Sequence, residues 1–129
     1  SSPSRGLGDV YKRQIYDIVL NAQVKSIEGI KSGMSCKSID SIARDHIANA
    51  GYSKFFDHGL GHSLGLEIHE DPRFSKVSED VLEENYVMTV EPGIYVPDIG
   101  GVRIEDDIIV TKNGAEILNK TSKEFQVIS

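Results

Sequence analysis

The spacing of apolar residues changes once along this chain, near Tyr52, and that change limits the folds open to it. Before Tyr52, apolar side chains recur with the period of one helix face in two stretches, the first of which begins at Ile15. After Tyr52, short apolar segments are separated by Gly, Pro, Asp and Asn, as in strands joined by turns. The order of the two patterns predicts an α+β fold, in which two amphipathic helices precede a mostly antiparallel sheet.

Residues that favour helix ends set the expected limits of both helices. The first helix should end near Lys31, because Gly33 stands where a helix C-terminal glycine belongs. Either Ser35 or Ser38 can cap the second helix, and Gly51 should stop it. Both helices are thus expected to be complete before the first strand.

Two segments of the second half have the clearest strand character, residues 86–90 and residues 101–111. The pair Asn113-Gly114 follows the second segment and predicts a two-residue hairpin turn. Residues 93–96 lie between two prolines, which limit ladder hydrogen bonding and predict an edge strand or a turn.

The bulk composition narrows the partners and the compartment. The 129 residues suffice for one domain, and 20 acidic against 14 basic side chains give a net charge of −6. That charge disfavours nucleic acid and anionic membrane surfaces as partners, and the sequence has no apolar run long enough for a bilayer span. Cys36 is the single cysteine, so no intramolecular disulfide can form. A cytoplasmic location is the expectation.

Three of the four histidines, His58, His62 and His69, fall within twelve residues rich in glycine. The helical zinc signature requires a glutamate directly after its first histidine, and here Gly59 follows His58. In an extended segment His58 and His62 share one side, whereas His69 converges on them only if the chain turns, as Gly65 would permit. A phosphate-binding loop is the weaker interpretation, since these glycines do not link a strand to a helix. They are expected instead to let the backbone approach the site closely.

Two glutamates lie in or next to apolar strand segments, Glu91 and Glu105. A buried carboxylate needs a partner, which for Glu105 could be Arg103 on the same strand face. Two such glutamates beside a histidine cluster are better explained by shared cations. Carboxylates with one imidazole suit Mn²⁺, Fe²⁺, Co²⁺ or Zn²⁺ and differ from a thiolate zinc site.

The motif sequence resembles the C-terminal half of the pita-bread metallopeptidases, and most closely the Xaa-Pro aminopeptidases and Xaa-Pro dipeptidases (prolidases). The resemblance rests on His-Gly-Leu-Gly-His at 58–62 with His-Glu at 69–70, on Thr-Val-Glu-Pro-Gly at 89–93, and on Gly-Val-Arg-Ile-Glu-Asp-Asp at 101–107. It extends from about residue 15 to residue 129. The implied fold is part of a pita-bread fold, and the implied reaction is hydrolysis of the bond before proline, by an aminopeptidase or a dipeptidase.

The resemblance also implies a role for each site residue. It makes His62 and Glu91 ligands of one divalent metal ion and Glu105 a carboxylate that bridges two such ions, most often Mn²⁺, with Co²⁺, Fe²⁺ or Zn²⁺ as alternatives. Glu91 would also accept a proton from the attacking water. The groups that hold the substrate and support the reaction would be His58, His69, Arg103 and Tyr95.

The segment before the first helix departs from the family pattern. Residues 1–14 mix Ser, Pro and Gly with basic residues and resemble a translated adapter or junction sequence. We therefore expect a non-native or disordered segment there and place the catalytic domain in residues 15–129. The family's two remaining ligands are aspartates upstream of this helix, and Asp9 is not a credible substitute. The isolated chain is therefore expected to be inactive, whereas the full-length protein should be a homodimer that cleaves peptides with proline second. A non-catalytic binding module and an amidinohydrolase remain alternatives on the same fold.

Overall fold

The computed structural model describes residues 3–64 and 72–120, and within them two helices precede seven strands. The α+β class and the antiparallel pairing predicted from the sequence are confirmed. The elements are α1 (Pro3–Gly29), α2 (Cys36–Asn49), a 3-10 turn (Ser53–Phe55), β1 (Gly61–His62), β2 (Arg73–Phe74), β3 (Val87–Val90), β4 (Gly93–Val96), β5 (Gly100–Arg103), β6 (Asp106–Val110) and β7 (Ala115–Lys120).

Helix α1 begins at Pro3, so the predicted helix start at Ile15 is wrong. Apolar periodicity reports a buried helix face, and the turns before Ile15 are mostly exposed, with Val10 55% exposed, so they carry no such period. The helix ends at Gly29, and Gly33 lies in the turn beyond it with a φ of +92°. The non-native origin of residues 1–14 stays a prediction.

Helix α2 has the limits that the sequence predicts. Ser35 is its N-cap, and the Ser35 side chain accepts a hydrogen bond from the Ser38 amide. Gly51 follows the helix with a φ of +93°, a conformation that glycine adopts without strain. The two helices pack closely, because a Cβ atom added at Gly29 would lie 2.6 Å from the Ile42 side chain.

The strands form three small antiparallel sheets, ordered β3-β6-β7, β4-β5 and β1-β2. The single strand predicted over residues 101–111 is interrupted at Ile104 and Glu105, because β5 pairs with β4 while β6 pairs with β3. The chain changes partners at that point, and the Ile104 amide donates to the Pro92 carbonyl instead of to a ladder. Strand β4 pairs with β5, as expected for an edge strand between prolines.

The hairpin between β6 and β7 is present, but its predicted turn type is wrong. A two-residue Asn-Gly turn requires positive φ angles, and neither Asn113 nor Gly114 has one. The Thr111 amide donates to the Gly114 carbonyl, but the Thr111 carbonyl accepts from the Ser32 amide. Val110 and Ala115 form the last strand pair, so the connection has four residues, 111–114, instead of two.

One apolar core joins the helices to the sheets. From α1 it receives Ile15 and Val19, from α2 Ile39 and Ile47, and from the strands a set of residues that are likewise buried. The strand contributions are Phe74, Met88, Val90, Ile94, Val102, Ile108 and Val110. In the part of the chain that the structure describes, no helix combines the length and the apolar composition that a membrane crossing needs.

The backbone contact at Gly61 yields a prediction about stability. A Cβ atom at Gly61 would lie 1.9 Å from the Thr89 carbonyl oxygen, so Gly61→Ala must push two strands apart. We expect the free energy of unfolding, measured in urea, to fall by about 2–3 kcal/mol, as for severe overpacking of a core.

The matched control is Gly8→Ala, where an added Cβ atom meets no heavy atom within 4 Å. Because Gly8 lies in α1, this change should raise the free energy of unfolding by about 0.5–1 kcal/mol. Equal stability of the Gly61→Ala protein and its parent would contradict the contact.

Candidate metal centre

The segment around β1 runs alongside β3, so the histidine motif at 58–62 lies next to the Thr-Val-Glu-Pro-Gly motif at 89–93. The Glu91 amide donates to the Leu60 carbonyl at 2.7 Å, and the Leu64 amide donates to the Val87 carbonyl at 2.8 Å. Between them, the His62 amide donates to the Thr89 hydroxyl oxygen at 3.0 Å. These bonds hold the histidine segment in register with β3, which Glu91 follows directly.

This register places two of the predicted ligands side by side, with His62 Nε2 3.7 Å from Glu91 Oε2. His62 Nδ1 lies 3.0 Å from the Ser63 carbonyl oxygen, which can only accept. The hydrogen of a neutral His62 ring therefore belongs on Nδ1, and Nε2 turns its lone pair toward Glu91. A carbonyl partner on the far nitrogen is the usual arrangement for a histidine that ligates a metal.

Glu105, the third predicted ligand, lies on the link between β5 and β6. Burial raises the pKa of Glu105, and the neighbouring Glu91 carboxylate raises it further. Arg103 and His62 partly oppose this rise, so Glu105 is within electrostatic reach of both other predicted ligands. A second nearby carboxylate, Asp107, also favours the protonated form of Glu105.

An imidazole nitrogen beside carboxylates is a donor set that suits Mn²⁺, Co²⁺, Fe²⁺ or Zn²⁺. Over residues 3–64 and 72–120, however, no three His, Cys, Asp or Glu side chains are grouped closely enough to hold an ion by themselves. The donor chemistry therefore fits a metal, with His62 and Glu91 in contact and Glu105 nearby. The ligand assignments stay predictions.

His58 occupies a different position from His62. Its Nδ1 lies 2.7 Å from the Gly59 carbonyl oxygen, and its ring stands edge-on to Phe56, with 4.9 Å between the ring centroids. The Tyr95 ring is 5.8 Å away. His58 Nε2 is buried and has no hydrogen-bond partner among the described atoms. That nitrogen is available to a group that enters the site.

A cavity of about 380 Å³ collects most of the predicted residues. Five of them line it: His58, His62, Glu91, Tyr95 and Arg103. The remaining lining residues are Gly59, Gly61, Arg73, Phe74 and Ser75. Glu105 is not among the lining residues, and His69 lies outside the described part of the chain.

The Tyr95 hydroxyl and the Arg103 guanidinium meet in this cavity. Burial raises the pKa of Tyr95, and the charge and hydrogen bond of Arg103 act against that rise. The hydroxyl therefore stays protonated near neutral pH and can donate a hydrogen bond to a bound molecule. Arg103 brings a permanent positive charge to the cavity.

Sequence reasoning missed Arg73, which brings a second guanidinium to the cavity. Its position four residues after His69 was the available signal. His46, the fourth histidine, lies on α2 and does not line the cavity, and its Nδ1 is 3.2 Å from Lys25 Nζ.

Comparison with known proteins assigns the chain to a family. The sequence matches the model of metallopeptidase family M24 over residues 5–112. It is 56% identical over 114 residues to the Xaa-Pro dipeptidase of Pyrococcus horikoshii, covering 88% of this chain and 32% of the relative. It is 47% identical over 116 residues to an uncharacterized peptidase of Bacillus subtilis, covering 90% of this chain and 33% of the relative.

Solved structures give the same result for the fold. The prolidase of Pyrococcus horikoshii superposes with a TM-score of 0.81 at 55% identity, covering 88% of this chain and 33% of that one. The X-Pro aminopeptidase of Thermotoga maritima superposes with a TM-score of 0.80 at 42% identity, covering 90% and 33%. The chain spans about a third of the length of the relatives it matches, and its α+β fold is the corresponding part of a prolidase fold. The predicted resemblance is confirmed, and the chain belongs to metallopeptidase family M24.

Proposed function

We propose that this chain supplies the His62, Glu91 and Glu105 side of a two-metal centre in a peptidase that hydrolyses the bond before proline. The observation that carries the proposal is the 3.7 Å separation of His62 Nε2 and Glu91 Oε2 in one cavity with His58, Tyr95 and Arg103. Similarity to an Xaa-Pro dipeptidase over 88% of the chain supports the substrate class. Mn²⁺ is the proposed ion, and Co²⁺, Fe²⁺ and Zn²⁺ suit the same donors.

Divalent ions held by these donors would supply Lewis acidity to the scissile carbonyl and would make water a stronger acid, with a pKa of about 7. The chain's own groups perform the remaining tasks. Glu91 accepts the proton that the attacking water loses. His58 has Nδ1 on the Gly59 carbonyl, so in its doubly protonated form it donates from the unpaired Nε2 to the substrate carbonyl oxygen and stabilises the negative charge that develops there. His69 is proposed to assist on the same side.

The two guanidinium groups of the cavity support a short substrate that has a free carboxylate close to the scissile bond. Arg73 and Arg103 both line the cavity, and a guanidinium binds a carboxylate through paired hydrogen bonds. The free carboxylate of an Xaa-Pro dipeptide fits this pair, whereas a longer peptide carries its carboxylate farther from the scissile bond. Dipeptidase activity is therefore our first choice, and aminopeptidase activity on longer peptides is the alternative.

For the full-length protein we propose a cytoplasmic homodimer that acts on peptides and binds neither nucleic acid nor membranes. The net charge of −6 supports the second part, because it repels phosphate backbones and anionic headgroups.

The ligand assignment predicts selective losses of metal affinity. His62→Ala and Glu91→Gln should each weaken Mn²⁺ binding by at least about tenfold, since loss of even a ligand's outer partner weakens binding about 10–100-fold. Isothermal titration of the purified chain measures this directly.

The matched control for this titration is His46→Ala, which removes an imidazole on α2 outside the cavity. This variant should bind Mn²⁺ as the parent does. If all three variants bound the ion equally, His62 and Glu91 would not be its ligands.

Catalysis should require all five protein ligands that the family resemblance implies. The 129-residue chain holds three of the five protein ligands that the family resemblance implies, so with Mn²⁺ it should release no proline from Ala-Pro above the metal-only blank. Transplanting residues 15–120 into the matching third of the Pyrococcus horikoshii Xaa-Pro dipeptidase should give an enzyme that does release proline.

Two variants of this chimera make the test specific. His62→Ala should abolish the release of proline, and His46→Ala should leave it unchanged. An active isolated chain would contradict the inactivity, and a folded but inactive chimera would contradict the proposed function.

A further inference from the structure

Helix α2 carries a buried charge pair that the proposed reaction does not use. The Asp40 side chain is fully buried, and Arg44, one turn later, is 21% exposed. Arg44 Nε donates to Asp40 Oδ2 at 2.8 Å, and Arg44 Nη2 donates to Asp40 Oδ1 at 3.2 Å. Such a paired geometry fixes the guanidinium plane against the helix.

The same two side chains also hold the segment that leads into the histidine motif. Arg44 donates from Nη1 to the Phe56 carbonyl at 3.0 Å and from Nη2 to the His58 carbonyl at 2.9 Å. Asp40 Oδ1 accepts the Leu60 amide at 3.0 Å. The guanidinium carbon lies 4.4 Å from the centre of the Phe56 ring. The backbone groups of Phe56, His58 and Leu60 are thus all hydrogen-bonded to the same ion pair.

These bonds continue into the site. The Leu60 carbonyl accepts the amide of Glu91, so a single peptide segment connects Asp40 to one predicted ligand. His62 follows two residues later, and the His58 ring rests on the Phe56 ring that Arg44 covers. The placements of His58, His62 and Glu91 therefore share one support.

Stability alone does not account for this pair. Removing two charges from water is unfavourable, and apolar side chains of similar volume often pack as well or better in such positions. Apolar side chains could not, however, donate to two carbonyl groups and accept an amide of the same segment. The ion pair therefore contributes directional hydrogen bonds to the backbone of residues 56–60.

We propose that Asp40 and Arg44 are the positioning residues of this centre, acting through the backbone of residues 56–60 to set His58, His62 and Glu91. The proposal rests on the proposed function for its consequence, metal binding, but its structural part can be measured without a metal. Neither residue contacts the substrate in this role.

The test uses Arg44→Lys and Asp40→Asn in the full 129-residue chain. Lysine keeps the charge but loses the fork that reaches two carbonyls. Asparagine keeps the shape and one acceptor oxygen, but it loses the charge and replaces the second acceptor with a donor. Asp45→Asn is the matched control, because it removes a carboxylate from an exposed position on the same helix. Ala43, buried in the middle of α2, reports on the helix itself.

The first measurement is amide hydrogen exchange by NMR on the chain without metal. Arg44→Lys should accelerate exchange at Leu60 and Glu91 by about tenfold or more relative to Ala43, because the segment opens without loss of the helix. Asp45→Asn should leave the ratio unchanged. If Leu60 and Glu91 accelerated only in proportion to Ala43 in both test variants, the pair would merely stabilise the fold and the proposal would be overturned.

The second measurement is titration with Co²⁺, followed by visible absorption, under conditions in which every variant is folded. Arg44→Lys should weaken Co²⁺ binding by about tenfold and alter the absorption bands, as displacement of ligand supports does. If both test variants bound Co²⁺ with the affinity and the absorption bands of the parent chain, the proposed effect of the ion pair on the metal centre would be overturned. If the parent chain bound no Co²⁺, the proposed function would fail while hydrogen exchange would still decide the positioning role. Should Arg44→Lys not fold, Asp40→Asn decides both measurements.

Discussion

The close approach of Gly61 to Thr89 is the contact on which the site depends. With no side chain at Gly61, the backbone of β1 lies directly against the Thr89 carbonyl, where a Cβ atom would overlap it at 1.9 Å. That approach lets the His62 amide reach the Thr89 hydroxyl and brings the Leu60 carbonyl to the amide of Glu91. This backbone geometry brings the His62 and Glu91 side chains together, with 3.7 Å between Nε2 and Oε2.

Short-range sequence signals were sufficient to predict the features whose conformation depends on neighbouring residues. The limits of α2 follow from a capping serine at Ser35 and from Gly51, whose positive φ excludes most other residues. The glycines of the histidine motif predicted a close backbone approach, and Gly61 confirms it. Convergence of His58, His62 and Glu91 on one cavity was likewise predictable, because each lies in a motif in which a polar group interrupts an apolar or glycine-rich segment.

The features that sequence reasoning missed are decided by distant partners. The break at Ile104 arises because β5 and β6 pair with different strands, and no local residue announces that change. The turn before β7 is altered by a hydrogen bond from Ser32, some 80 residues earlier in the chain. Asp40 and Arg44 look like an ordinary helix-surface pair at the i, i+4 spacing, and only the fold of residues 56–60 over α2 buries them.

Electrostatics connects the geometry of the site to its proposed chemistry. Burial raises the pKa of Glu105, and the carboxylates of Glu91 and Asp107 raise it further, so ionisation of Glu105 is unfavourable at this position. Arg103 and His62 offset this repulsion in part. A divalent cation held by the proposed ligands would offset it far more effectively, because it would bring two positive charges to these carboxylates. Grouping partly buried carboxylates is unfavourable for a fold and useful for a metal site, and Gly61 and the Asp40–Arg44 pair hold the backbone that carries Glu91.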